Sequence, residues 1–195
     1  MRKSVRSVEA PEGFHYQAEI LPPEEERELA ERFRHLPLKE FEFHGYVGKR
    51  RTMSFGWHYD FGEERLQQTE QIPAFLQKLR ERAAGFADLS AEALSHALVT
   101  EYSPGTTIGW HRDKGVFDDV VGISLLSPCT FRLRRKTATG WERYSLTIEP
   151  RSAYLLRGTA RTQWEHSIPA VDALRYSVTF RSLRSSRQPV RGSKG

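Results

Sequence analysis

The chain of 195 residues is long enough for one domain of ordinary size, which buries about two-thirds of the surface its unfolded form exposes. Its 38% hydrophobic and 28% charged residues, its lack of any run near the roughly 20 apolar residues of a membrane span, and its single cysteine, Cys129, exclude a disordered chain, a helical membrane protein and a disulfide-stapled scaffold. The net charge of +5 is local, because the last 14 residues, SLRSSRQPVRGSKG, carry Arg184, Arg187, Arg191 and Lys194 without an acid and leave the rest at about +1.

Such a tail suits a polyanionic partner such as nucleic acid, since its charges strengthen phosphate binding without reading sequence; it suits a solubilising terminus equally well. The basic opening residues, MRKSVRSVEAPEG, lack the apolar core of a secretory signal. With one cysteine, the chain is expected in the cytoplasm, or in the nucleus if its source has one.

Along the chain, residues 14–20 alternate enough for a first strand. Pro22 and Pro23, followed by EEERELAERFRHL, mark a helix start: proline fits the first turn, acids favour the positive helix end, and Leu29, Phe33 and Leu36 recur at helical spacing. The stretch 41–62 is dense in aromatics and glycine around the basic triplet Lys49–Arg51, and predicts strands joined by turns. A second helix is expected over 73–86, with Phe75, Leu76 and Leu79 on its apolar face. From about residue 96 the runs HALVTEY, TIGWHRD, GISLL, CTFRLRR, RYSLTIE, SAYLLR and RYSVTFRSL are broken by Gly, Pro, Asp or Ser. So many short strands in succession predict a β-sandwich or barrel rather than alternating βα units.

Within WHRDK, His111 and Asp113 are two residues apart, and on a strand such side chains share a face. His166, in QWEHSIP, would come from another strand. Two imidazoles and one carboxylate form the facial triad of non-haem iron(II) oxygenases, which leaves coordination positions open for cosubstrate and O₂. The absence of a thiolate argues against structural zinc. His15, His35, His44, His58 and His96 have no comparable partners and are read as structural.

Alternation in RYSVTFR puts Arg175, Ser177, Thr179 and Arg181 on one face and Tyr176, Val178 and Phe180 on the other. A buried guanidinium needs an anion, and arginine binds carboxylates through paired hydrogen bonds, so a dicarboxylate would answer the need. Six residues of strand separate the two arginines by about 20 Å, too far to clamp one carboxylate together. Salt bridges on an exposed sheet face would also satisfy them.

The ordered set Tyr102-Ser-Pro-Gly, His111-x-Asp113, His166 and Arg175-Tyr-Ser-Val-Thr-Phe-Arg181 resembles the AlkB family of nucleic-acid dealkylating dioxygenases. The resemblance covers about 95–184 and, more loosely, 40–80, where RRTMSFGWHYDF is similar to the family's substrate lid. It implies a mainly β fold with some α: a double-stranded β-helix of jelly-roll or cupin type, with N-terminal helices and a substrate-recognition lid. With charge and composition marking a basic arm over 1–13 and a basic disordered tail over 184–195, the resemblance implies one oxygenase domain over 14–183, its lid in 40–72 and its β-helix core in 95–183. His111, Asp113 and His166 match the family's iron(II) ligands and thereby its catalytic centre. Tyr102 matches a hydroxyl donor to 2-oxoglutarate, Arg175 the partner of its distal carboxylate, and Arg181 the arginine near its metal end. The implied reaction consumes 2-oxoglutarate and O₂, releases CO₂ and succinate, and hydroxylates an N-alkyl carbon, which then leaves as an aldehyde.

Departures from the family pattern are Thr100 and Ser177 where asparagines are usual, both still polar and placed with the cosubstrate residues, and Gly115 where base-repair members carry an acid. An enzyme acting on a base holds it between flat or apolar side chains. Phe55, Trp57 and Tyr59 alternate and would present one aromatic face, with Lys49, Arg50 and Arg51 upstream as a cationic accompaniment. Core packing is the competing reading of the aromatics. Arg132, Arg134, Arg135 and Lys136 form a second cluster able to meet phosphates. The expected substrate contacts are Phe55, Trp57, Tyr59, Arg51 and Arg134, and the expected partners are alkylated DNA or RNA, single- or double-stranded, with no membrane partner and the chain acting as a monomer. A protein demethylase or hydroxylase of the same chemistry is the alternative, and a non-enzymatic cupin-like module a third.

Overall fold

The alternation in the RYSVTFR segment organises the whole molecule. In the computed structural model, which describes residues 9–43, 46–60 and 62–184, this segment is strand β13 (Arg175–Leu183), the middle strand of a seven-stranded sheet. The tail residues Arg187, Arg191 and Lys194, most of the basic arm, and His44 lie outside the described residues.

The large sheet runs in the order β1-β11-β8-β13-β6-β3-β2, with β1 Phe14–Gln17, β2 Lys39–Phe43, β3 Tyr46–Phe55, β6 His96–Tyr102, β8 Phe117–Leu125 and β11 Ser152–Leu156. A four-stranded sheet, β10-β9-β12-β7, faces it, built from β7 Ile108–His111, β9 Cys129–Thr137, β10 Gly140–Ile148 and β12 Glu165–Ile168. The pair β4 (Trp57–Asp60) and β5 (Arg65–Gln68) forms a separate two-stranded hairpin. Strands β2 and β3 extend the large sheet, so of the segment 40–72 only this hairpin stands clear of it. The architecture is a double-stranded β-helix.

One face of β13, carrying Tyr176, Val178 and Phe180, packs beneath two helices, α1 (Pro23–Arg34) and α2 (Ala74–Phe86), in a core with Leu29, Phe33, Leu76 and Leu79. The start of α1 matches its sequence signal: proline at the first position and Glu24, Glu25 and Glu26 in the first turn. Two of those acids are buried and tie the helix down, Glu25 to Lys78 and Arg82 of α2, and Glu26 to the Leu126 amide and Arg151. A second core, with Phe14, Phe131, Leu133, Ile148 and Tyr154, fills the space between the sheets. Gly122 leaves room there for the Tyr154 ring, into which any Cβ on that residue would project. No helix among the described residues is long and apolar enough to cross a membrane.

Candidate metal centre and cosubstrate pocket

The inner face of the large sheet changes from apolar to polar around β13. His96, Thr100, Ser124, Arg175, Ser177, Thr179 and Arg181 are all buried there. Polar groups are costly to bury unless they are partnered, so this cluster marks a site rather than a core.

The small sheet supplies the other wall. His166 on β12 lies directly opposite His111 on β7, and a register shift between His166 and Ile168 keeps both His111 and Ile108 facing inward. The two imidazoles lie 4.2 Å apart, centroid to centroid, and His166 stacks on Phe131 at 5.4 Å. His111 Nδ1 is 2.9 Å from the Gly109 carbonyl; since a carbonyl only accepts, Nδ1 is the donor and Nε2 keeps its lone pair for a metal. Burial, reinforced by His111, pulls His166 down to about 3, so this imidazole is neutral and competent as a ligand at ordinary pH.

Asp113 follows β7 in the loop to β8, and its Oδ2 stands 3.9 Å from His166 Nε2. Its Oδ1 accepts from Arg181 Nη2 and Nε at 2.9 and 3.2 Å. Burial opposes ionisation of this carboxyl, but the Arg181 guanidinium and the two imidazoles hold it well below the usual carboxylate range. No three donor groups among the described residues meet in finished coordination geometry, and this trio is a loose convergence of two imidazoles and a carboxylate. Its donor set, all nitrogen and oxygen, suits iron(II).

At the other end of the same strand face, Arg175 is 1% exposed. Its Nε donates to Ser124 Oγ at 3.0 Å and its guanidinium lies 4.6 Å from the Tyr102 ring centre, yet Nη1 has no partner among the described residues. An orphaned N–H on a buried cation is destabilising, and a carboxylate is the ligand that would satisfy it. Ser177 and Thr100 sit directly opposite each other on β13 and β6, and Ser177 Oγ donates to the Tyr102 hydroxyl at 3.5 Å. The residues therefore fit a dicarboxylate with one end at Arg175 and the other toward the Asp113 trio.

The substrate residues expected from sequence do not stay together. Phe55 ends β3 and is 3% exposed within the helix-side core, so it does not share a face with Trp57 and Tyr59. The alternation fails at Gly56, whose φ of 77° turns the chain from one sheet into the hairpin. Tyr59 does approach the trio: Lys114 Nζ, one residue beyond Asp113, lies 5.0 Å from its ring centre. Arg51 pairs with Glu101 on the outer side of the large sheet, and Arg134 pairs with Glu165 on the outer face of the small one.

Three further residues reach the site: Arg50, expected only as part of a basic triplet, His96, expected to be structural, and Arg161, which had no expected role. Arg50 precedes the outward Arg51, so β3 turns it to the inner side, where burial pulls its guanidinium down and its charged neighbours are Tyr102, Arg181 and Asp113. His96 Nδ1 accepts from Arg181 Nη1 at 3.4 Å, and burial keeps its ring far below the usual histidine range. Arg161 donates to the carbonyls of Lys114 and Phe117 and so pins the loop that carries Asp113. Only Arg50 had a local signal, its alternation with Arg51.

Two sheets enclosing a histidine pair, a carboxylate and a buried arginine are the arrangement that a non-haem metal oxygenase requires. Residues 13–187 match the model of the 2OG-Fe(II) oxygenase superfamily, and the chain belongs to it. That superfamily uses iron(II), 2-oxoglutarate and O₂, and this chain resembles its AlkB-type members. It is 28% identical over 167 residues to an alkylated DNA repair protein ALKBH8 homolog of Arabidopsis thaliana, covering 71% of this chain and 47% of that protein. It is 34% identical over 107 residues to the mitochondrial alpha-ketoglutarate-dependent dioxygenase alkB homolog 7 of Bos taurus, covering 54% of this chain and 47% of that one. The chain thus spans about half the length of these curated relatives. Among solved structures it shares its fold with OsALKBH1 (TM-score 0.66, 17% identity, 87% of this chain and 96% of that one). It also shares it with a Pseudomonas putida prolyl-4-hydroxylase (TM-score 0.59, 16% identity, 89% and 94%).

Proposed function

We propose that the chain oxidatively removes N-alkyl groups from bases in DNA or RNA, with His111, Asp113 and His166 holding iron(II). The observation that carries this reading is on the β4–β5 hairpin, where the flat ring of Tyr59 lies 5.0 Å from the ammonium of Lys114, the residue after Asp113. A flat ring and a cation together are what an extruded base and its phosphate require. The alkylated-DNA-repair relative in Arabidopsis thaliana points the same way.

In this reading Arg175 binds the distal carboxylate of 2-oxoglutarate through its unpartnered Nη1, Tyr102 donates to the cosubstrate, and Thr100 and Ser177 line its chain. Arg181 fixes Asp113 in orientation, the buried, neutral His166 offers its lone pair, and His111 is turned by the Gly109 carbonyl at its Nδ1 so that Nε2 faces the metal position. Held by these residues, iron(II) with 2-oxoglutarate and O₂ would supply the oxidising power to hydroxylate an N-alkyl carbon, with CO₂ and succinate as co-products and an aldehyde leaving the restored base. Trp57 and Tyr59 hold the base. The buried free thiol of Cys129 suits a reducing compartment such as the cytoplasm.

A protein substrate is the second reading, favoured by Gly115, where the family's base-reading acid is missing although the space beside it is open. Succinate release separates the two. A methylated single strand should stimulate it and its unmodified twin should not; equal indifference to both would move the assignment to proteins.

A further inference from the structure

We propose that the outer face of the four-stranded sheet is a second binding surface, which takes the single-stranded nucleic acid flanking the base in the active site. The proposal rests on the nucleic-acid reading above and adds a place on the fold remote from the lid.

The inner side of this sheet faces the core, and the register fixes what is left outside. Leu133 and His166 point inward, so their neighbours Arg132, Arg134 and Glu165 point outward, and Trp110, next to His111, does so as well. Across the hairpin, Arg143 stands directly opposite Arg134 and Trp141 directly opposite Lys136. The result is an interleaved ladder. The Arg134 guanidinium lies 4.3 Å from the ring centre of Trp110 and 4.3 Å from that of Trp141, with Arg132 5.1 Å from Trp110.

Two features are unexpected for a merely solvated face. Trp141, at 42%, is the exposed large hydrophobic side chain of the described residues, and it stands in a field of cations. Arg134 and Arg143 are like charges placed directly opposite, an arrangement that destabilises a sheet in isolation. Among the described residues of these strands, Arg132, Arg134, Lys136 and Arg143 are opposed on this face by Glu165 alone, which pairs with Arg134 at 2.7 Å. A polyanion relieves that repulsion, and an exposed indole adds a stacking platform that phosphate alone would not need. Together they match how single strands are held, by a cationic track with bases stacked on aromatic rings. Continuity with the active site is direct. Strand β7 is the sheet edge, and Trp110 and His111 send adjacent side chains to the outer and inner faces, so a strand passing over this edge meets both.

The test uses the full chain and labelled deoxythymidine and uridine strands of about 15 nucleotides, within the footprint range of single-strand grooves. Binding is followed by anisotropy and by quenching of indole fluorescence over a salt series. Trp141→Ala should weaken binding by roughly five-fold or more and remove much of the quenching. Replacing Lys136 and Arg143 together by glutamine should reduce the slope of log K against log salt by about 1.4, at about 0.7 per phosphate contact. Turnover of 2-oxoglutarate without substrate should be unchanged in both variants. The tighter of the two strands identifies the natural polymer. Wild-type binding that neither variant alters would overturn this surface and leave the active-site reading intact. A polyglutamate chain that competes equally, with Trp141→Ala without effect, would reduce the face to charge attraction and overturn it too. If the wild type binds neither strand even at low salt, the surface and the nucleic-acid reading fall together.

Discussion

Arg181 and Asp113 are joined side chain to side chain, with Nη2 and Nε of the guanidinium both donating to Oδ1 and each side chain about one-tenth exposed. The arginine comes from the middle strand of the large sheet and the aspartate from the loop after β7, so this pair links the two halves of the site. Removing one partner of a buried pair leaves an uncompensated charge, a loss of about 3–5 kcal/mol. Arg181→Gln should therefore destabilise the metal-free protein by about that much in chemical denaturation and reduce turnover at least a hundredfold. Arg181→Lys should recover only part of either, because lysine lacks the planar fork. Full stability in Arg181→Gln would contradict the pairing.

The orphaned Nη1 of Arg175 gives a separate prediction. A charge-assisted hydrogen bond is worth about 1.5–3 kcal/mol, so Arg175→Lys should raise the KM for 2-oxoglutarate by roughly ten- to a hundredfold. Direct binding of 2-oxoglutarate to the metal-free protein, by calorimetry, should weaken in parallel. An unchanged KM would place the distal carboxylate elsewhere.

The aromatics around Gly56 should divide by role. Phe55→Ala opens a cavity in the helix-side core and should lower stability by about 3–5 kcal/mol. Trp57→Ala and Tyr59→Ala lie on the hairpin and should leave thermal unfolding nearly unchanged while abolishing stimulation of succinate release by a methylated strand. A large stability loss in either hairpin variant would make these residues structural.

Glu25 predicts a pH effect on folding. Burial opposes its ionisation, but hydrogen bonds from Lys78 and Arg82 outweigh it and hold the carboxyl below the usual 4.5. A depressed folded value stabilises the protein above the unfolded value and loses that contribution as pH falls through the folded one. Glu25→Gln should flatten the acid limb of a stability–pH curve below about pH 5 and leave turnover per folded molecule unchanged at neutral pH. An unaltered acid limb would show that the α1–α2 clamp does not contribute.

Strand β13 was legible because alternation alone sorts Arg175, Ser177, Thr179 and Arg181 from Tyr176, Val178 and Phe180, and the structure puts the first set inside and the second under the helices. Helices α1 and α2 were equally plain, since a starting proline and apolar spacing agree in both, with first-turn acids added in α1. Strand β12 was expected only as the strand that brings His166, and its bounds were not legible: at four residues it carries no period of its own, and it is held by pairing with β7 and β9. The aromatic face failed for a local reason, the positive φ at Gly56, which a run of alternating aromatics does not reveal. Arg51 and Arg134 were read as substrate contacts, and the acid from another strand that pairs with each, Glu101 and Glu165, was not foreseen. Such long-range pairing depends on sheet order, and so did the placing of His96 and Arg161 around Asp113.

The measurement that bears most directly on the account is succinate release from 2-oxoglutarate by the wild type and by Asp113→Asn, at matched folded concentration with iron(II) and ascorbate. Asparagine keeps the shape of the side chain and removes the charge that faces Arg181 and the histidines. Turnover lost by at least a hundredfold, with circular dichroism and bound-iron stoichiometry showing a folded protein that no longer retains iron, is the predicted result. Asp113→Asn that holds iron and turns over 2-oxoglutarate at the wild-type rate would contradict the assignment of this trio as the metal centre.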